Sequence, residues 1–139
     1  MQVQPYLSFD GRAEEAIEFY KQALDAELVM LSRFGDSPEP PPPDAVPPGS
    51  GDKVMHAELR IGDSVVMISD GNCKGQPSFG GFSLSLVVPD LAAAERAFAA
   101  LAEGGQVMMP LAKTFGSPGF GMLSDRFGVG WMVNVTPAE

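Results

Sequence analysis

The residues best suited to chemistry are His56, Glu58 and Arg60, in the run KVMHAELRI. On a strand, residues two apart leave the same face, which places His56 and Glu58 about 6.6 Å apart along it. A carboxylate near an imidazole orients the ring and favours its protonated form, as a general acid or base requires. The same alternation also describes an ordinary solvated strand face with no catalytic role. One imidazole and one carboxylate, completed by water, would also hold a divalent metal. His56 is the sole histidine, so no site with two imidazoles can form. Cys73, the sole cysteine, stands beside Lys74, whose ammonium lowers a thiol pKa. With no second cysteine and the histidine distant in sequence, an incidental thiol is the simpler reading.

The elements that position these residues follow a pattern used twice. VQPYLSFDG followed by RAEEAIEFYKQAL reads as an alternating strand and an amphipathic helix, and FSLSLVVPD followed by LAAAERAFAALAE repeats it. In the first unit the strand alternates Val3, Pro5, Leu7 and Phe9 with Gln4, Tyr6 and Ser8. Pro5 lacks an N–H and marks an edge or a strand start. The helix places Ala13, Ala16, Ile17, Tyr20 and Leu24 on one face. Strands are expected near 27–34, 53–61 and 64–69, the last two joined by a Gly62-Asp63 turn. In the second unit, strand 82–88 leads through Pro89-Asp90, as turn and cap, to a helix ending at Gly104-Gly105. Strands 107–112, 121–124 and 130–135 follow, with Asp125-Arg126-Phe127-Gly128 as the last turn. Each module therefore reads βαβββ.

The expected fold class is α+β: two tandem βαβββ modules forming a curved mixed-sheet cup with helices on the outside. Residues 1–139 read as a single domain. Module one is 1–70 with a proline-rich loop at 35–52, a linker spans 70–81, and module two is 82–139. PEPPPPDAVPPGSG cannot form a helix or a central strand and reads as an extended loop. A lid or a docking segment around 38–48 is the functional alternative.

One face of each sheet should meet the helices: Val3, Leu7, Phe9, Met55, Ala57, Leu59, Ile61, Val66, Ile68, Phe82, Leu84, Leu86, Trp131, Val133 and Val135. The other carries Gln4, Tyr6, Ser8, His56, Glu58, Arg60, Val65, Met67, Ser69, Ser83, Ser85, Met132 and Asn134. That mixed polar and thioether face suits a small-molecule site. Phe115, Gly116, Phe120 and Gly121 read as a loop able to cover a flat ligand or simply to pack.

Composition narrows the function classes. A net charge of −9 disfavours nucleic acid and anionic membranes, which need clustered Lys and Arg. No apolar run reaches the roughly 20 residues that span a bilayer, and the start of the chain does not read as a signal peptide. One cysteine leaves no internal disulfide, so the expected location is cytoplasmic.

PYLSFDGRAEEAIEFYKQAL, KVMHAELRIGDSVVMISDG and DRFGVGWMVNV resemble the vicinal oxygen chelate superfamily of glyoxalase I, extradiol dioxygenases and bleomycin-resistance proteins. Within it they are most similar to the PhnB-like group, often labelled 3-demethylubiquinone methyltransferase-like. The likeness covers nearly the whole chain and implies a cup of two βαβββ modules, usually in a homodimer. In metal-dependent members, His or Glu ligands come from the first and fourth strands of each module. The corresponding residues are Gln4, Met67, Ser83 and Met132, none of them an imidazole or a carboxylate. Methionine is a soft ligand suited to Cu(I) rather than to hard divalent ions. The methyltransferase label wants a glycine-rich turn between a strand and a helix, whereas Gly49-Ser50-Gly51 follows the proline loop and precedes a strand.

The resulting expectation is a small organic ligand bound by Gln4, Tyr6, Arg60, Met67, Ser83, Met132 and Asn134. His56 and Glu58 would be its catalytic pair, with no cofactor and no metal. The alternatives are a metal-dependent lyase, isomerase or dioxygenase with a shifted ligand set such as His56 and Glu58, and a pure binding or interaction protein.

Overall fold

The computed structural model describes residues 1–36, 49–71, 78–114 and 116–136. The chain forms two compact units, Met1–Pro77 and Ser78–Glu139. The first runs β1 (Tyr6–Ser8), α1 (Ala13–Leu24), β2 (Glu27–Arg33), β3 (Val54–Ile61) and β4 (Ser64–Ser69). The second runs β5 (Leu84–Val88), α2 (Leu91–Ala102), β6 (Gln106–Thr114), β7 (Ser117–Ser124) and β8 (Gly130–Val135). Both are βαβββ, as the sequence repeat predicts, and the fold is α+β. Each unit has its own open, mixed sheet, with strand orders β1-β4-β3-β2 and β5-β8-β7-β6. In each, the first strand pairs parallel with the last, and the remaining neighbours pair antiparallel. No helix among the described residues is long and apolar enough to cross a membrane.

In the first unit β1 is an edge strand that starts directly after Pro5, where the missing N–H does least harm. The expected apolar face of α1 is buried at Ala13, Ala16, Ile17 and Tyr20. It packs with Leu7, Phe9, Ala57, Leu59, Val66 and Ile68, all buried. Removing each large apolar side chain from water contributes roughly 1.5–3 kcal/mol. The Tyr20 and Phe9 rings lie 6.3 Å apart. Gly62, at φ 59, makes the β3–β4 turn that the Gly-Asp pair predicts.

The N-terminus of α1 gets no cap from Arg12, the residue in the capping position. Asp70, 1% exposed just past β4, supplies one from a distance. Its Oδ1 accepts from the amides of Gly11 (2.8 Å) and Ala13 (2.7 Å), and its Oδ2 accepts from Val54 (2.8 Å). One buried carboxylate thus satisfies three backbone donors, two of them at the helix start where donors lack intrahelical partners.

The proline-rich stretch 38–48 lies outside the described residues, as do Cys73, Lys74 and Phe115. The two ends of the expected 35–52 loop are one-turn 3-10 helices, Phe34–Asp36 and Ser50–Asp52. Arg33 holds these stems: its Nη1 donates to the Asp52 carbonyl at 2.6 Å and to Glu14 Oε1 at 2.8 Å. The Phe34 amide donates to the Lys53 carbonyl at 3.0 Å.

In the second unit Asp90 caps α2 as its position predicts, accepting from the Ala93 amide at 2.7 Å. Gly104, at φ 78, ends the helix region. Strand β7 is longer than expected and starts at Ser117, so Phe120 and Gly121 belong to a strand and not to a covering loop. A Cβ on Gly121 would sit 2.6 Å from the Phe98 ring, so the missing side chain is what lets α2 approach the sheet. Asp125 is 3% exposed and accepts from the amides of Phe127 and Val129 and from Trp131 Nε1 at 2.9 Å.

Two residues expected in the core are exposed, and Met55, Ile61, Leu84 and Leu86 are only half-buried. Val3 is 96% exposed and Phe82 is 48% exposed. Both precede their strands, where the alternation continues in sequence but no partner covers it. Val54, which the alternation puts on the other face, is fully buried instead. The register shifts between Ser32 and Arg33 opposite it, and such an irregularity breaks the period of two.

Candidate functional site

The first sheet has a face turned away from α1, and the register places its residues. Met30 pairs with Glu58, Glu58 with Met67, and Met67 with Tyr6. One row therefore crosses β2, β3, β4 and β1. His56 lies two residues from Glu58 on β3, next to this row. The Tyr6 ring reaches it across β4 and stacks on it, with centroids 5.8 Å apart and planes at 29°. His56 Nε2 stands 3.8 Å from Glu58 Oε1. That separation is longer than a direct hydrogen bond. Among the described residues, the Tyr6 hydroxyl, the His56 nitrogens and the Glu58 carboxylate have no hydrogen-bond partner. Tyr6 is 53% exposed, while His56 and Glu58 are half-buried. The arrangement offers an aromatic platform, a base and an acceptor on one surface.

Arg60 extends the strand face as expected, but its guanidinium is paired with Glu27 of β2. Ser69, expected on the open face, is buried; its hydroxyl donates to the Met55 carbonyl at 2.8 Å. Gln4 and Ser83 share the parity of the open faces but precede β1 and β5 and are exposed. Met67 lies in the row beside Tyr6. In the second unit Met132 and Asn134 occupy the open face of β8, half-buried, paired with Ser85 and Val87 of β5. The structure thus gathers Tyr6, His56, Glu58 and Met67, adds Arg60 at the margin, and puts Met132 and Asn134 on the second sheet.

Sequence reasoning missed Met30, Glu27 and the full extent of the rows. Register reveals that the rows match: Met30, Glu58, Met67 and Tyr6 in unit one occupy the places of Met109, Met122, Met132 and Ser85 in unit two. Spacing within one strand carries no such signal, because pairing across strands is what defines a row.

The family model described as 3-demethylubiquinone-9 3-methyltransferase matches residues 1–134. The chain belongs to that family. Its curated relative Protein YjdN of Escherichia coli (strain K12) is 38% identical over 100% of this chain and 98% of its own length. The crystal structure of protein PA1353 from Pseudomonas aeruginosa is 46% identical, covers 98% of both chains and superposes with a TM-score of 0.84. A PhnB protein from Bacillus cereus, described as a putative 3-demethylubiquinone-9 3-methyltransferase, is 28% identical over 98% of this chain and 100% of its own, with a TM-score of 0.77. A glyoxylase/bleomycin resistance protein/dioxygenase domain from Frankia shares the fold, at 13% identity and a TM-score of 0.67 over 98% of this chain and 95% of its own. The PhnB-like chain therefore has the vicinal oxygen chelate fold that its motifs predict. Its two mixed sheets are not the doubly wound parallel sheet on which a glycine-rich turn binds S-adenosylmethionine.

Proposed function

We propose that this PhnB-like protein is a cytoplasmic homodimer that binds a small organic ligand on the open face of its first sheet, without a metal, and that His56 and Glu58 act there as an acid–base pair. The Tyr6–His56–Glu58 cluster carries the reading: three polar groups with no hydrogen-bond partner among the described residues, grouped on a half-buried surface. Polar groups that water can reach are open to a ligand able to replace the water's hydrogen bonds. The exposed side of the Tyr6 ring takes a planar group, and Glu58 takes a donor. His56 accepts a proton while Glu58 stabilises the imidazolium. Gln4, just before β1, supplies a hydrogen bond at the margin.

A metal-free reading is supported by the donor set at the positions that correspond to the superfamily's ligands, which here are an amide, a hydroxyl and two thioethers. A fragment library screened by thermal shift tests the proposal, since a ligand that binds the native state raises Tm by mass action. Compounds that stabilise the wild type should lose that effect in Glu58→Gln and Tyr6→Ala. Hits that stabilise the variants equally would place the site elsewhere. Any turnover found should vanish in His56→Ala, and unchanged turnover would remove the catalytic part. Calorimetric titration of chelator-treated protein with Zn²⁺, Ni²⁺, Mn²⁺ and Fe²⁺ should show no tight one-to-one binding; such binding would favour the metal-dependent alternative. Light scattering at twice 14.7 kDa is the expected result for the dimer.

A further inference from the structure

The open face of the second sheet carries a row of thioethers. Met109 on β6 is the register partner of Met122 on β7, and Met122 that of Met132 on β8. Direct partners leave a sheet on the same side, with Cβ atoms about 4.5–5.5 Å apart. Leu123 and Trp131, one residue further along β7 and β8, are buried in the core, so the row points away from it. Met122 and Met132 are half-buried, and Met109 is 45% exposed. The pairs that flank the row are uncharged: Phe120 with Asn134 on one side, Ser124 with Gly130 on the other.

Hard cations want carboxylate, carbonyl or imidazole ligands, and the row and its flanking pairs hold no carboxylate or imidazole. Thioether sulfur is soft and selects Cu(I). The register of β6 is irregular on both sides of Met109, and irregularities of this kind re-aim a side chain. A net charge of −9 draws cations towards the chain. We infer that Met109, Met122 and Met132 form a site for a soft monovalent cation, Cu(I), held by three thioether sulfurs.

The first sheet supplies an internal control. Its matching row is Met30, Glu58, Met67 and Tyr6, where a carboxylate replaces the middle thioether. Its two methionines are thus two strand spacings apart, about 9.6 Å.

The test uses the full chain with Cys73→Ser, so that no thiolate competes, and methionines labelled with ¹³C at the methyl group. Cu(I) is added anaerobically and the eight methionine methyl signals are followed. One equivalent should shift the signals of Met109, Met122 and Met132, assigned from single leucine variants, and leave those of Met30 and Met67 in place. Met122→Leu keeps the volume of the side chain and should abolish the one-equivalent response. Met30→Leu should retain it. Unchanged signals with excess Cu(I), shifts confined to other methionines, or a full response in Met122→Leu would overturn the site. An equal response to Zn²⁺ would overturn its softness.

Discussion

Asp70 Oδ1 and the Ala13 amide meet at 2.7 Å, joining the end of β4 to the start of α1 across 57 positions of sequence. The same carboxylate holds Gly11 and Val54, so the helix, its entry turn and β3 share one acceptor. Asp70→Ala leaves three backbone donors without it. The expected loss is about 3 kcal/mol of unfolding free energy, as hydrogen bonds to charged groups are the strong ones. Urea denaturation measures it, and hydrogen exchange should speed up at Ala13 and Val54 together. A loss below about 1 kcal/mol would mean that water or another group replaces the carboxylate.

Gly121→Ala places a Cβ 2.6 Å from the Phe98 ring and 2.9 Å from the Leu111 Cα. The ring can turn aside and the backbone cannot, so the variant should lose about 1–3 kcal/mol. Adding Phe98→Ala should bring no full rescue, because the Leu111 contact persists. Full recovery relative to Phe98→Ala alone would show that the ring is the entire obstacle.

Glu14 receives a two-pronged contact from Arg33, at 2.8 and 3.1 Å. That hydrogen bonding, and then the guanidinium charge, hold its carboxyl below the ordinary value of 4.5. A folded-state value lower than the unfolded one contributes stability that is present above 4.5 and lost as pH falls through the lowered value. Glu14→Gln should therefore have a slightly lower Tm than the wild type at neutral pH, with the gap closing in acid. Because the pair is exposed, added salt should shrink the gap as well. A gap that stays constant from neutral pH into acid would refute the assignment.

Much of the fold was legible because its signals are local. The β8 span Gly130–Val135, the buried face of α1, the Asp90 cap and the Gly62 turn all follow from spacing within a few residues. The misplacement of Val3 and Phe82 has the opposite origin, since alternation continues past the point where a partner strand stops. Asp70 reads as the start of a linker and Asp125 as a turn residue; their partners show both to be buried acceptors. Tyr6 and His56 could be placed on one face from parity alone. Their stacking needed the order β1-β4-β3, which puts a single strand between them.

The matching rows also divide hydrogen-bonding strength between the halves. The row of unit one carries a carboxylate and a phenol beside its two thioethers, whereas that of unit two carries three thioethers and one hydroxyl. Carboxylate oxygens make charge-assisted hydrogen bonds and thioether sulfur is a weak acceptor. Two halves built on one plan thus greet a donor unequally, and along these rows the strong acceptor belongs to the first half alone.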